Sequence, residues 1–229
     1  MVPSIPAPRR DAVLALLGAG LVLASLVVIW AARLTVPREL YVSELGADGE
    51  PTALAFEVAL LLLVAGGVLI AWAVRDLRSR TPGLRAGRPA ASLVVACAGF
   101  LVASQVPCTA GCPLPVGPTF TVQDFVHTLS AVIAFAAAAW AMLQVAFAPG
   151  HRLLSRLSLS AAVSVAVVAG IGGLLSLLRW NDRFGSHLEL VATSIGIGWL
   201  VIFGLVRFAR LVVAVRSGPD ASGGSATPA

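Results

Sequence analysis

Long apolar runs, almost free of charge and separated by short polar stretches, set the pattern of this chain. A helix rises about 1.5 Å per residue, so crossing a hydrocarbon core takes about 20 apolar residues. Six runs reach or approach that length: 12–32, 53–74, 90–106 (the shortest), 125–148, 157–178 and 188–206. Their only carboxylates and imidazole are Glu57, His127 and Glu189. The short alternating stretches that closed barrel strands require are absent. The pattern predicts an all-α integral membrane bundle of six transmembrane helices. Residues 1–11 form an amino-terminal cytoplasmic segment, 12–211 the transmembrane domain, and 212–229, rich in Gly, Ser, Ala and Pro, a disordered cytoplasmic tail. The first run follows Arg9 and Arg10, as a secretory signal would, but it is longer than a typical signal core and lacks a small-x-small cleavage site. A retained helix is expected.

Composition agrees with the pattern. Hydrophobic residues are 58% and charged ones 12% of the chain, against about 25% charged in soluble domains, which excludes a water-soluble fold. The net charge of +5 does not mark a nucleic-acid binder, because the basic residues form no patch interleaved with aromatics. Membrane lipids are the expected partners. All 16 basic residues are arginine, a bias consistent with a GC-rich bacterial coding sequence.

The arginines also predict orientation. With the amino terminus inside, only Arg33, Arg38, Arg179 and Arg183 fall in outer loops, whereas carboxylates concentrate outside, as Glu39, Glu44, Asp48, Glu50, Glu57, Asp124, Asp182 and Glu189. By the positive-inside rule both termini are cytoplasmic, in a multi-pass protein of the bacterial cell membrane. Trp30 and Trp180 then mark outer helix ends and Trp72 and Trp140 inner ones, while Trp199 packs internally. Small residues four apart, Ala162, Ala166 and Gly170 on the fifth run and Ser194 and Gly198 on the sixth, suit close helix packing, within one bundle or at a dimer seam, and leave the oligomeric state open.

Candidate chemistry gathers at the outer end. Glu57, Asp124, His127, His187 and Glu189 fall at one depth, and the three-residue spacing puts Asp124 and His127 on one helix face. Ionisable groups at that level fasten helix ends, bind a lipid headgroup or small polar ligand, or, with two histidines and a carboxylate holding zinc, hydrolyse a substrate with Ser43 or water as nucleophile. The first outer loop carries Tyr41, Ser43, Glu44 and Gly46, with Tyr41, Val42 and Leu45 at the membrane interface and Gly46, Gly49 and Pro51 as turn residues. It reads as a structural or ligand-covering lid. Cys108 and Cys112, bracketed by prolines in the second outer loop, suit a small disulfide ring, redox-active thiols or metal ligation. Cys97 reads as a packed mid-helix residue. No metalloprotease, nucleophile-elbow or phosphate-loop motif is present, and His151 lies at the opposite side from the other histidines.

The stretch Tyr-x-Ser-Glu-Leu-Gly-x-x-Gly-x-Pro from Tyr41 to Pro51, the Cys-x-x-x-Cys-Pro loop from Cys108 to Pro113, and the Asp-x-x-His of Asp124 and His127 resemble a large prokaryotic membrane family, the domain of unknown function numbered 998. The resemblance covers about residues 12–211. More distantly, the chain is similar to the damage-regulated autophagy modulator group, which implies six helices and a lipid-related or regulatory role by analogy of fold. The resemblance offers no established catalytic residues to carry over and leaves the activity, any cofactor and any metal open. The functional expectation is therefore a non-enzymatic protein that binds or senses a lipid or other amphiphile through an outward polar vestibule of Glu57, Asp124, His127, His187 and Glu189, braced by Cys108 and Cys112. The alternative is a metal-dependent membrane hydrolase using His127, His187 and a carboxylate.

Overall fold

A computed structural model describes residues 7–113, 117–150, 152–178 and 182–217. It is all-helical, with no strand among the described residues. The helices are α1 (Ala7–Thr35), α2 (Ala53–Ala73), a single turn α3 (Pro82–Arg85), α4 (Pro89–Gln105), α5 (Val122–Ala146), α6 (Arg152–Leu177) and α7 (Asp182–Arg216), with a short 3-10 turn at Ser43–Gly46. Helix is the expected answer to these runs, because a chain in hydrocarbon must satisfy its backbone groups internally. Proline opens α3 and α4, where its missing N–H costs nothing and its fixed φ suits a first turn. Five of the helices are long and apolar enough to cross a membrane, and α4 is apolar but only 17 residues long.

Several boundaries differ from those read in the sequence. α1 begins at Ala7, ahead of the apolar run, and α7 continues to Arg216, beyond the limit set at residue 211. Hydropathy marks the part of a helix suited to hydrocarbon, whereas the i to i−4 ladder continues through polar residues at either end. His151, Arg179, Trp180 and the last part of the tail, 218–229, for which expectations are given above, lie outside the described residues.

The six long helices close into a ring, with neighbours in the order α1, α2, α4, α5, α6, α7 and back to α1. Polar ties at opposite ends show antiparallel neighbours. Asp11 at the start of α1 pairs with Arg75 just after α2 at 2.9 Å, and Ser92 early in α4 donates to Gln144 late in α5 at 2.8 Å. One end of the ring is rich in arginine. There Arg207 donates to the Ala73 carbonyl and pairs with Asp76 at 2.7 Å, while Arg10 and Arg75 lie over the Trp72 ring. Trp199 is buried as expected, stacked on Phe203 and donating to Ser158 Oγ at 2.9 Å.

Backbone contact between helices occurs at glycines other than those singled out from spacing. A Cβ on Gly66 would stand 2.6 Å from the Gly18 carbonyl oxygen, and one on Gly18 would stand 2.7 Å from that of Gly66. α1 and α2 therefore touch backbone to backbone, which only glycine permits. Gly170 and Gly198, by contrast, face open space.

At the other end, the loop between α1 and α2 folds into the ring. Leu40, Val42, Leu45 and Ala47 are buried, Leu45 completely. Val42 and Leu45 were expected at the membrane interface. They instead plug the bundle, because the 3-10 turn directs them inward and the Thr52 hydroxyl donates to the Leu45 carbonyl at 2.8 Å. Gly46 is small because Phe56 lies against it, and Gly49 supplies the left-handed turn at φ 86°.

Candidate ligand cavity at the loop end

The site begins at the first turn of α5. Thr121 caps the helix by accepting the Asp124 N–H at 3.0 Å. Asp124, only 1% exposed, accepts in return from the Thr121 hydroxyl and from both the backbone N–H (2.8 Å) and the hydroxyl of Thr109. Its carboxylate therefore fastens the loop containing Cys108 and Cys112 to α5. Asp124 was read as a vestibule residue; the structure makes it the clasp behind the wall. The Thr-x-x-Asp spacing, a variant of the capping box, is the sequence signal that points to this role.

One turn further on, His127 is buried at 5% exposure. Its Nδ1 lies 2.9 Å from the Val106 carbonyl oxygen and 3.2 Å from that of Ala103. Carbonyls only accept, so Nδ1 carries a proton, and in the neutral imidazole Nε2 holds the lone pair. Cys108 and Cys112 are joined, with Cα atoms 5.1 Å apart, in a tight turn that holds Gly111 and Cys112 at φ 79° and 42°. Cys97 is a free buried thiol on α4, packed beside Gly67.

Across the ring, Glu189 on α7 is half-buried and accepts the Val42 N–H at 2.7 Å. The Ser43 N–H and hydroxyl are directed at the same carboxylate. The Val42 bond, at the start of the 3-10 turn, thus latches the lid to an acid on α7. The Tyr41 side chain packs over Gly185, where a Cβ would meet its phenolic oxygen at 2.5 Å.

These elements enclose a cavity of about 640 Å³, whose wall includes Ser43, Glu44, Cys108, Cys112, His127 and Glu189. Its opposite wall is α6, through Gly170, Gly172, Gly173 and Ser176, facing Thr128, Val132 and Phe135 of α5. Val132 and Gly170 are exposed on the flank of the bundle, so the cavity has a side opening between α5 and α6. A narrow apolar crevice of about 90 Å³ runs into the ring and shares Ser43, His127, Phe135 and Glu189 with the cavity. It is walled by Leu60, Leu63, Leu93, Met142, Val165 and Leu200, among others.

The five ionisable residues grouped by depth do not form one cluster. His127 and Glu189 share the cavity. Glu57, half-buried, accepts from Gln105 at 3.3 Å and lines a separate pocket of about 250 Å³ on the far side of His127. His187 is exposed, with Nδ1 2.7 Å from the Arg183 carbonyl and Nε2 3.9 Å from Glu39. Glu39 also pairs with Arg33 at 2.8 Å and Arg183 at 3.5 Å, so His187 belongs to a surface ion cluster. The zinc set of His127 and His187 is not assembled. Among the described residues, the metal-ligating side chains that do come together are Cys108, Cys112 and His127. Phe135 and the α6 glycines were not anticipated as site residues; the small-residue spacing had been read as helix packing.

No curated protein and no solved structure matches the chain. The model of the family described as Protein of unknown function (DUF998) matches residues 16–206. The motifs at Tyr41–Pro51, Cys108–Pro113 and Asp124/His127 lie within that span and build the lid, the cavity wall and its clasp. This chain, a membrane protein by its long apolar helices, belongs to that family.

Proposed function

We propose that the chain crosses a bacterial cytoplasmic membrane six times with both termini in the cytoplasm, and that it binds an amphiphile drawn from the outer leaflet. The arginine-rich end takes the cytoplasmic side under the positive-inside rule, and α4 crosses although short, since a bilayer thins locally around a short helix. The observation that carries the binding reading is the pairing of two spaces. A polar-edged cavity opens sideways between α5 and α6, and an apolar crevice leads from it into the ring. A headgroup meets Ser43, His127 and Glu189 while its chain lies along Phe135 and the crevice, which matches the division of an amphiphile into polar and apolar parts.

Gly173 provides the test, because it lines the cavity and a Cβ there meets nothing within 4 Å. The side chain of Gly173→Trp starts into open space and is expected to occupy the cavity. Mass spectrometry of lipid extracted from detergent-purified protein is expected to find a retained amphiphile near one per chain in wild type and a loss of most of it in Gly173→Trp at unchanged Tm. Equal lipid in both proteins would sink the proposal.

A further inference from the structure

We infer that Cys108, Cys112 and His127 form a redox-gated site for one soft or borderline metal ion, with an open coordination position facing the cavity. One ligand atom from each of the three lies within 4.8 Å of the others, and all three residues line the same cavity wall. Two thiolates and an imidazole suit zinc or cuprous ion rather than magnesium or calcium. A second observation is the setting of His127. Its Nδ1–H is held by the Ala103 and Val106 carbonyls, which fixes the ring and leaves Nε2 as the ligating nitrogen, as the outer partners of metal-bound histidines do. The Asp124 clasp on Thr109 holds the cysteine loop against α5 in the same way.

The gate is the bond between the cysteines. In the disulfide state neither sulfur is a thiolate ligand. A dithiol reductant gives two electrons and two protons to the bond, leaving Cys108 and Cys112 as thiols and becoming a cyclic disulfide itself. The metal ion then displaces both thiol protons to solvent and takes Sγ, Sγ and Nε2, with water from the cavity as the fourth ligand. Cys112 is half-buried, so this sulfur is the one offered to a reductant entering from the loop side. The inference rests on these three side chains and not on lipid binding.

The test uses the full-length protein in detergent, oxidised or reduced with a phosphine and desalted without oxygen, then given Zn²⁺ or Co²⁺. One equivalent of Zn²⁺ is expected in the reduced protein and almost none in the oxidised one. Co²⁺ is expected to give a thiolate charge-transfer band and intense visible bands of a tetrahedral site. Cys112→Ser abolishes both, His127→Gln weakens binding at least about tenfold, on the scale of lost metal-site partners, and Cys97→Ser, outside the cluster, leaves it intact. If His127→Gln does not fold, protection of two thiols from alkylation by Zn²⁺ in wild type and in Cys97→Ser serves as the readout. Absence of bound metal in the reduced wild type, or undiminished binding in folded His127→Gln, overturns the inference. Either result leaves the lipid extraction experiment standing on its own.

Discussion

Replacing Asp124 tests the clasp that positions the cavity wall. Asp124→Ala removes the acceptor of the Thr109 N–H at 2.8 Å and of two hydroxyls, at a position with 1% exposure. The hydroxyls can rotate to other acceptors, but the amide N–H cannot. A hydrogen bond to a charged group contributes about 1.5–3 kcal/mol, and an orphaned buried donor costs about as much. The upper end, about 3 kcal/mol, is expected for Asp124→Ala, which corresponds to a fall of roughly 6–12 °C in Tm for a chain of this size. Asp124→Asn keeps a carbonyl oxygen for the amide but loses the charge and turns the oxygen that accepts the two hydroxyls into an NH2 donor; the hydroxyls can rotate to accept from it, so a smaller loss, about 1 kcal/mol, is expected. Thermal unfolding of the purified proteins, followed by tryptophan fluorescence in one detergent, ranks them. Thr121→Ala removes the cap and one donor, and its effect combined with Asp124→Ala should fall short of the sum, since the two share contacts. An Asp124→Ala protein within about 2 °C of wild type, on the same scale, or an Asn variant as damaged as the Ala variant, would refute the reasoning.

Two further outcomes concern the bundle. Gly66→Leu places a Cβ against the Gly18 carbonyl and Val22, so it should separate α1 from α2 and abolish recovery of monodisperse protein. Gly198→Leu, which faces open space, should be recovered like wild type in the same size-exclusion assay. Trp199→Phe keeps the stack on Phe203 but loses the donor to Ser158, and should lower stability by about 1 kcal/mol, seen as a Tm fall of a few degrees.

The helical runs were legible because crossing hydrocarbon constrains composition over a whole segment. Their ends were not, since residues such as Asp11 and Arg210 extend a helix without extending its apolar run. The pairing of Asp124 with His127 followed from three-residue spacing, but the division of labour did not, because it depends on Thr109, brought up from the preceding loop. His187 was grouped with Glu189 by depth alone. Two residues apart on a helix means about 200° of rotation, so one faces Glu39 at the surface and the other faces Ser43 in the bundle. Glycines look alike in sequence whether they line a seam, as Gly66 does, or an opening, as Gly170 does. Which face of a helix meets a neighbour is settled by the other helices.

The most direct test of the account is where an amphiphile touches the protein. In a bilayer containing a phospholipid with a photoreactive group near its headgroup, cross-links should concentrate on 128–135 and 169–176, the two edges of the side opening, and disappear in Gly173→Trp. Labelling spread evenly over exposed apolar positions such as Val13, Leu17 and Leu61, and unchanged by that substitution, would contradict it.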